Sequence, residues 1–427
     1  MITSRERVIR ALNHQSPDRV PLDLGATAVT GISASALYAL RKALGLGDAP
    51  VRVNEPYQML GEIDGRVMDA LGIDVVGLRD ENTLFGFPAR DWKPWTLFDG
   101  TPVLVPGGFN TELAADGSLY QYPQGNKAYA PSGHMPRGGF YHDAIERQEF
   151  AVLPEDESTL DPEEWVRDMY HVYTDEELRL IEQRAHDLYT NTSRAIFSNW
   201  GQGAFGDIAF VPGTGIPKPK GVRAVADWYM ATKLYPNYIR GIFQLQCEIA
   251  LKNLALYKQA VGDRIVAIYI GGTDFGTQTG TFISADAYRE MWAPYHKALC
   301  DWIHANTCWK TFFHSCGSMI TLFDELIAAG CDIVNPVQIS AKGMDPKTLK
   351  ARWGDKLVFW GGGIDTQQVL PFGTPEQVRA QVIENATILG AGGGLIFNAV
   401  HNIQAGVPVE NLLALFKSFA QVRDRVR

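Results

Sequence analysis

Two residues in the run KTFFHSCGS, His314 and Cys316, carry the donor types that soft divalent cations prefer, and they stand two positions apart. In an extended segment, side chains two apart point to one face, so the imidazole and thiol converge on one point in space. That pair suits Zn²⁺, and the glycine after it lets the chain turn tightly. A catalytic zinc uses three protein ligands and keeps one position open. Cys331 precedes the next predicted strand, which puts it at the far end of the sheet as a buried structural thiol. His401 in NAVHNIQ follows a strand and is the better third ligand; its other reading is a histidine that binds substrate without touching metal. Asp274, in GGTDFGTQTG, reads as a general acid or base, as a partner that orients a metal-bound imidazole, or as a ligand. Helix capping is a weaker reading of Asp274, because Ser284 stands nearer the next helix and caps it better. Glu55 and Glu62 are weaker sources of a carboxylate ligand.

The elements that must hold these residues read as alternating strands and helices, the pattern of βα units and a parallel sheet. Eight β-rich runs are expected at 20–24, 73–78, 195–199, 265–270, 310–314, 332–337, 357–360 and 394–399. Amphipathic stretches at 285–305, 319–329 and 375–389 are each long enough for one crossover helix. Eight such units favour a closed (β/α)₈ TIM barrel spanning 1–427 as one domain, with chemistry where strands end and loops begin. By that rule Asn199, Trp200, Gln338, Trp360 and Asn398 are candidate substrate-binding residues, while Asp274 and His401 are candidate catalytic ones. Residues 83–156 break the rhythm with Asp99-Gly100, Asp116-Gly117 and many aromatics, and read as inserted antiparallel hairpins after the second strand. Such an insertion is either a rim or lid over the site or a packing elaboration. Its aromatics (Phe85, Phe87, Trp92, Trp95, Phe98, Tyr120 and Tyr122), with Trp200 and Trp360, suggest stacking on a bulky or methoxylated substrate.

The bulk properties narrow the partners. A 427-residue chain with 46% hydrophobic residues and 20% charged is globular, not disordered. A net charge of −9 without a Lys/Arg run argues against nucleic acid. The opening MITSRERVIRALNHQSPDRV contains neither a signal-peptide core nor a membrane anchor, so a cytoplasmic enzyme is expected. Five cysteines form no disulfide framework, which suits a reducing compartment.

The opening RERVIRALNHQSPDRVP, the segments GTFISADAYREMWAPYHKAL, FFHSCGS and FGTPEQV, and the closing NAVHNIQAGVPVENL together resemble the uroporphyrinogen decarboxylase-like superfamily across essentially the whole chain. The resemblance implies a (β/α)₈ barrel and one of two chemistries. True decarboxylases of this group bind a polyanionic tetrapyrrole through an arginine-bearing loop after the first strand. Here that loop, LDLGATAVTGISASAL, has no arginine to pair with such charges. The zinc-dependent methyltransferase branch, which exchanges methyl groups between a small substrate and a corrinoid protein, is closer and shares the H-x-C motif. It implies His314 and Cys316 as zinc ligands and methylcobalamin on a separate corrinoid protein, because this chain has no D-x-H-x-x-G signature of its own. The branch's third ligand is typically a cysteine after the last strand. His401 stands in that stretch instead, and a second imidazole makes a harder, less thiophilic site. The expected function is therefore a methyltransferase or O-demethylase acting on a small organic substrate. The rivals are a cofactor-free decarboxylase or lyase using His401 and Asp274, and a catalytically silent binding subunit. A homodimer is a further candidate assembly.

Overall fold

The computed structural model describes residues 2–426. At its centre is a curled parallel sheet of seven strands that follow one another in space in chain order: Val75–Leu78, Ala195–Ser198, Ala267–Gly271, Lys310–His314, Ile333–Asn335, Val358–Trp360 and Leu395–Ile396. Each strand is shorter than or equal to its expected run. Helices such as Pro236–Val261 and Pro375–Gly390 connect them, and the latter begins with a Thr374/Gln377 capping box and proline at its first turn.

The expected first strand at 20–24 is not a regular strand, and the reason is only half local. Pro21 has no N–H, and the Leu22 N–H turns to the Asp74 carboxylate at 3.1 Å instead of a neighbouring backbone. What remains is partial pairing on both sides. Leu22 bridges Phe397 in parallel, the Asp23 N–H donates to Phe397 O at 2.9 Å, and the Asp74 N–H donates to Leu22 O at 2.8 Å. Segment 20–24 therefore lies against both outer strands of the sheet.

Alternate residues of the strands point inward and fill the centre. Phe197, Phe312 and Trp360 meet edge to face there, with ring centroids 4.8 to 5.6 Å apart. Val8, Ala11 and Leu12 of the Ser4–Leu12 helix pack into the same cluster and cover one end. The predicted helix at 285–305 is two helices, Ala285–Met291 and Ala293–Asn306, broken at Trp292 because Pro294 cannot continue the ladder. The one predicted at 319–329 is shorter, Phe323–Ala328.

Between the first two strands of the parallel sheet the chain forms two small sheets. Lys93–Thr96 and Pro102–Val105 are antiparallel around Asp99-Gly100, and Glu112–Leu113 and Leu119–Gln121 around Asp116-Gly117. Gly133–Met135 and Asp143–Ala144 extend the latter. The sequence reading missed Val51–Glu55, which pairs in parallel with Pro102–Val105 and antiparallel with Leu60–Gly61. The 83–156 region is thus stitched to the chain before the first strand of the central sheet. Among the described residues, no helix is long and apolar enough to cross a membrane.

Candidate metal centre

His314 is the last residue of its strand, and the three backbone N–H groups that follow are each taken by a different element. Ser315 N–H donates to Asn335 O at 2.8 Å, Cys316 N–H to Asp274 Oδ1 at 2.7 Å, and Gly317 N–H to Gln338 Oε1 at 2.6 Å. The loop cannot drift from the strand end, because an unpaired buried N–H is costly. Gly317 has φ +90°, and a Cβ there would fall 2.4 Å from the Gly276 backbone, so only glycine allows this close approach.

Cys316 Sγ lies 3.4 Å from His314 Nε2. Two ligands of one tetrahedral zinc at ordinary bond lengths stand ~3.5 Å apart, so this spacing fits a shared ion. The tautomer of His314 also fits. Asn335 donates Nδ2–H to Trp360 O at 2.7 Å, which turns its Oδ1 to His314 Nδ1 at 2.6 Å. Nδ1 therefore carries the proton, and the Nε2 lone pair faces the thiol. Burial pushes the His314 pKa down to about 4, so the ring is neutral near pH 7, the ligating form. Burial, then the Asp274 charge, push the Cys316 thiol well above its ordinary value; a cation would have to displace that proton.

His401 completes the group: ligand atoms of His314, Cys316 and His401 all lie within 4.8 Å of one another. Burial pushes its pKa to about 3, with the neighbouring His314 contributing. Its tautomer is less accommodating. The Asn402 backbone N–H donates to His401 Nδ1 at 2.8 Å, and a backbone amide can only donate. The neutral ring then carries its proton on Nε2, so that nitrogen is set to donate a hydrogen bond. Ligation through it requires releasing Asn402.

Asp274 sits behind this group, holding the Cys316 amide; burial raises its pKa, opposed by that hydrogen bond and by His401. The sequence reading missed Asp207. It is buried near Asp274, and burial is the main cause of a pKa pushed up to about 8. Its signal was available: an acid in the glycine-rich GQGAFGD after the Ala195–Ser198 strand, the same context that marked Asp274.

A cavity of about 340 Å³ opens beside the centre. Cys316 and His401 line it, with Thr277, Gln278, Gln338, Thr366 and Gln367, and none of its lining residues is Lys, Arg, Asp or Glu. Of the expected substrate-binding residues, only Gln338 lines it. Trp360 is fully buried in the central cluster, its indole N–H donated to Asp23 Oδ2 at 2.9 Å, so it is a core residue. Asn398 donates to Asp23 O and Thr30 O, and Asn199 to Ala26 O and Leu78 O, tying segment 20–30 to the strands. Trp200 is buried, its indole N–H without a partner among the described residues. Phe85, Phe87 and Tyr122 are buried in the insertion's packing, and none of the insertion's aromatics borders the cavity. Glu55 is taken by the Tyr57 and Gln58 N–H groups, Glu62 pairs with Arg52, and Cys331 is buried with its thiol on Ile333 O.

Comparison with known proteins agrees with the resemblance read from the sequence. Residues 252–422 match the family model described as Uroporphyrinogen decarboxylase (URO-D). A curated protein named uroporphyrinogen decarboxylase, from Psychromonas ingrahamii, is 37% identical over 68 residues, which is 16% of this chain and 18% of that relative's length. A solved structure, a methyltransferase from Methanosarcina mazei, covers 99% of this chain and 99% of its own at TM-score 0.52 and 15% identity. That likeness speaks to the fold.

Proposed function

We propose that this uroporphyrinogen decarboxylase-like chain is a metal-dependent methyltransferase that moves a methyl group between a small organic substrate and a corrinoid carried by a separate protein. On this reading the curled sheet and segment 20–24 form a closed (β/α)₈ barrel, with the centre at the strand ends. The observation that carries it is the convergence of His314, Cys316 and His401 within 4.8 Å, with the first two already at ligand–ligand distance.

A zinc ion held there supplies Lewis acidity to the substrate atom that gains or loses the methyl group. The chain's own residues do the rest. Asn335 fixes the His314 tautomer, Asp274 fixes the Cys316 backbone, and Gln338 holds Gly317. One thiolate and two imidazoles leave a divalent ion with a net positive charge, which Asp274 offsets in its ionised form. Such a site favours oxygen or nitrogen over sulfur more than a two-thiolate site does. His401 enters as third ligand by giving up the Asn402 amide, or remains an Nε2–H donor to the bound substrate.

The lyase alternative, with His401 and Asp274 as acid and base, needs a cation to hold its substrate's carboxylate, and the cavity lining offers no Lys or Arg.

Metal analysis of protein purified without a His-tag tests the reading. About one zinc per chain is expected, lost in both His314→Ala and Cys316→Ser. Retention of zinc by His401→Ala assigns that ring to substrate, and its loss assigns the ring to metal. Metal-free wild type, with folded variants indistinguishable from it, overturns the proposal.

A further inference from the structure

We propose that Gln338 is a specificity-determining donor of the cavity, and that the ligand it selects is uncharged, presenting an ether, hydroxyl or carbonyl oxygen in place of a carboxylate, sulfonate or phosphate. This inference rests on the cavity beside the metal centre being the substrate site.

Three observations converge. First, the Gln338 carboxamide has a defined orientation. Its Oε1 accepts the Gly317 N–H at 2.6 Å, and because that partner can only donate, the Nε2–H₂ group must point elsewhere. The side-chain hydrogen bond of Gln338 is the one its oxygen accepts from Gly317, and the residue lines the cavity that Cys316 and His401 also line, so the amide N–H groups face that open space. A buried amide with a fixed oxygen and free N–H groups beside a reactive centre is a hydrogen-bond donor awaiting an acceptor.

Second, the rim is built from the same neutral chemistry. Gln278 Nε2–H donates to Gln367 Oε1 at 3.1 Å, and Ser340 Oγ–H donates to the same oxygen at 3.2 Å. This leaves the Gln367 amide N–H groups and the Gln278 oxygen for a ligand. The Thr277 hydroxyl is committed to Gly280 O, but the glutamine amides and the Thr366 hydroxyl can satisfy a polar neutral molecule from both donor and acceptor sides.

Third, the charge balance is wrong for a charged ligand of either sign. The Lys342 backbone N–H bonds Gln278 O, and its side chain is exposed and absent from the cavity lining. Behind Cys316 stand Asp274 and Asp207. With the net charge of a bound ion offset by Asp274, a ligand of either charge would leave water for a lining that has no charged side chain to pair with it, a costly transfer. A neutral oxygen bears no such cost, and a volume of about 340 Å³ accommodates a small organic molecule.

The test uses three near-isosteric probes, 2-methoxyethanol, methoxyacetate and 2-methoxyethylamine, titrated calorimetrically into the full chain, with zinc content measured on the same sample. The neutral ether is expected to bind at least about tenfold more tightly than either charged analogue. Gln338→Glu keeps an oxygen for the Gly317 N–H but removes the donor, and should cost the neutral ether about tenfold in affinity with the melting temperature preserved. Equal or tighter binding of methoxyacetate or of the amine overturns the proposal. So does unchanged affinity in Gln338→Glu, which would make the residue a brace for Gly317 only, or failure of 2-methoxyethanol to bind. A zinc-free chain that still prefers the neutral ether removes the metal reading and leaves this inference standing. A zinc-loaded chain that prefers methoxyacetate does the reverse.

Discussion

At the scale of single residues, His314 and Cys316 were legible because both sit within three positions of one strand, where the period-two rule decides which way side chains point. The same rule explains the misplacement of Trp360. Val358 and Trp360 share the inward parity of their strand, so the indole fills the centre of the sheet beside Phe197 and Phe312 and does not reach the cavity. His401 was placed at the right end of the molecule, but its tautomer depends on one backbone amide, and nothing in residue types reveals that. Asp207 shares with Asp274 the glycine-rich context after a strand, but that the two carboxyls lie near each other, 67 positions apart by residue number, leaves no mark in the sequence. Its raised pKa makes a prediction with a definite sign. A carboxyl protonated in the fold up to about pH 8, but ionised in the unfolded chain above its ordinary 3.8, contributes stability at low pH that is lost as pH rises toward 8. The melting temperature of Asp207→Asn relative to wild type should therefore increase with pH between about 4 and 8 and level off above. A difference that is flat across that range would show that Asp207 is ionised in the folded protein.

Elements were legible in number and order more than in extent. The run at 285–305 looks continuous in its apolar spacing, yet Pro294 divides it, and that proline was in plain sight. The irregularity at 20–24 was not, because it depends on a side chain from another element. Asp74, with no exposure, accepts from Ser4 Oγ, Arg7 Nη1, Arg19 Nη2 and the Leu22 N–H, joining the N-terminal helix to segment 20–24 and to the next strand. Removing it leaves the buried Arg7 with Asp18 as its one carboxylate partner and Leu22 without its acceptor. Asp74→Ala should cost roughly 3–5 kcal/mol in urea unfolding, and Asp74→Asn, which keeps an oxygen for part of the network, clearly less. Equal costs for the two would mean that shape, not charge, holds this junction.

At the scale of the whole molecule, the alternation of strands and helices gave the parallel sheet, since sequential βα units are local and their order in space follows their order in the chain. The small sheets between the first two strands were only half legible. Asp-Gly turns announced the hairpins, whereas the pairing of Val51–Glu55 with Pro102–Val105 joins residues about fifty apart and leaves no local mark. That pairing means the 83–156 region shares backbone hydrogen bonds with the chain preceding the central sheet. Heat or denaturant should therefore produce one transition, with far-ultraviolet dichroism and tryptophan fluorescence coincident; Trp92 and Trp95 in the insertion report alongside Trp360 in the sheet and Trp309 just before one of its strands. Two separated transitions would mark the insertion as an independent unit. The bond from the Asn402 amide to His401 has a wider reach than its own length. Asn402 also accepts from Gly31 N–H and donates to Ala28 O and Gln58 Oε1, so one short loop is latched to two distant stretches of chain, at 28–31 and at 58. If ligation turns His401 away, the Asn402 amide loses its only ring acceptor and becomes the first to trade its hydrogen for deuterium. Occupancy of the centre would then be audible as a change in the rhythm of the 400–404 loop, far sooner than as any movement of the sheet.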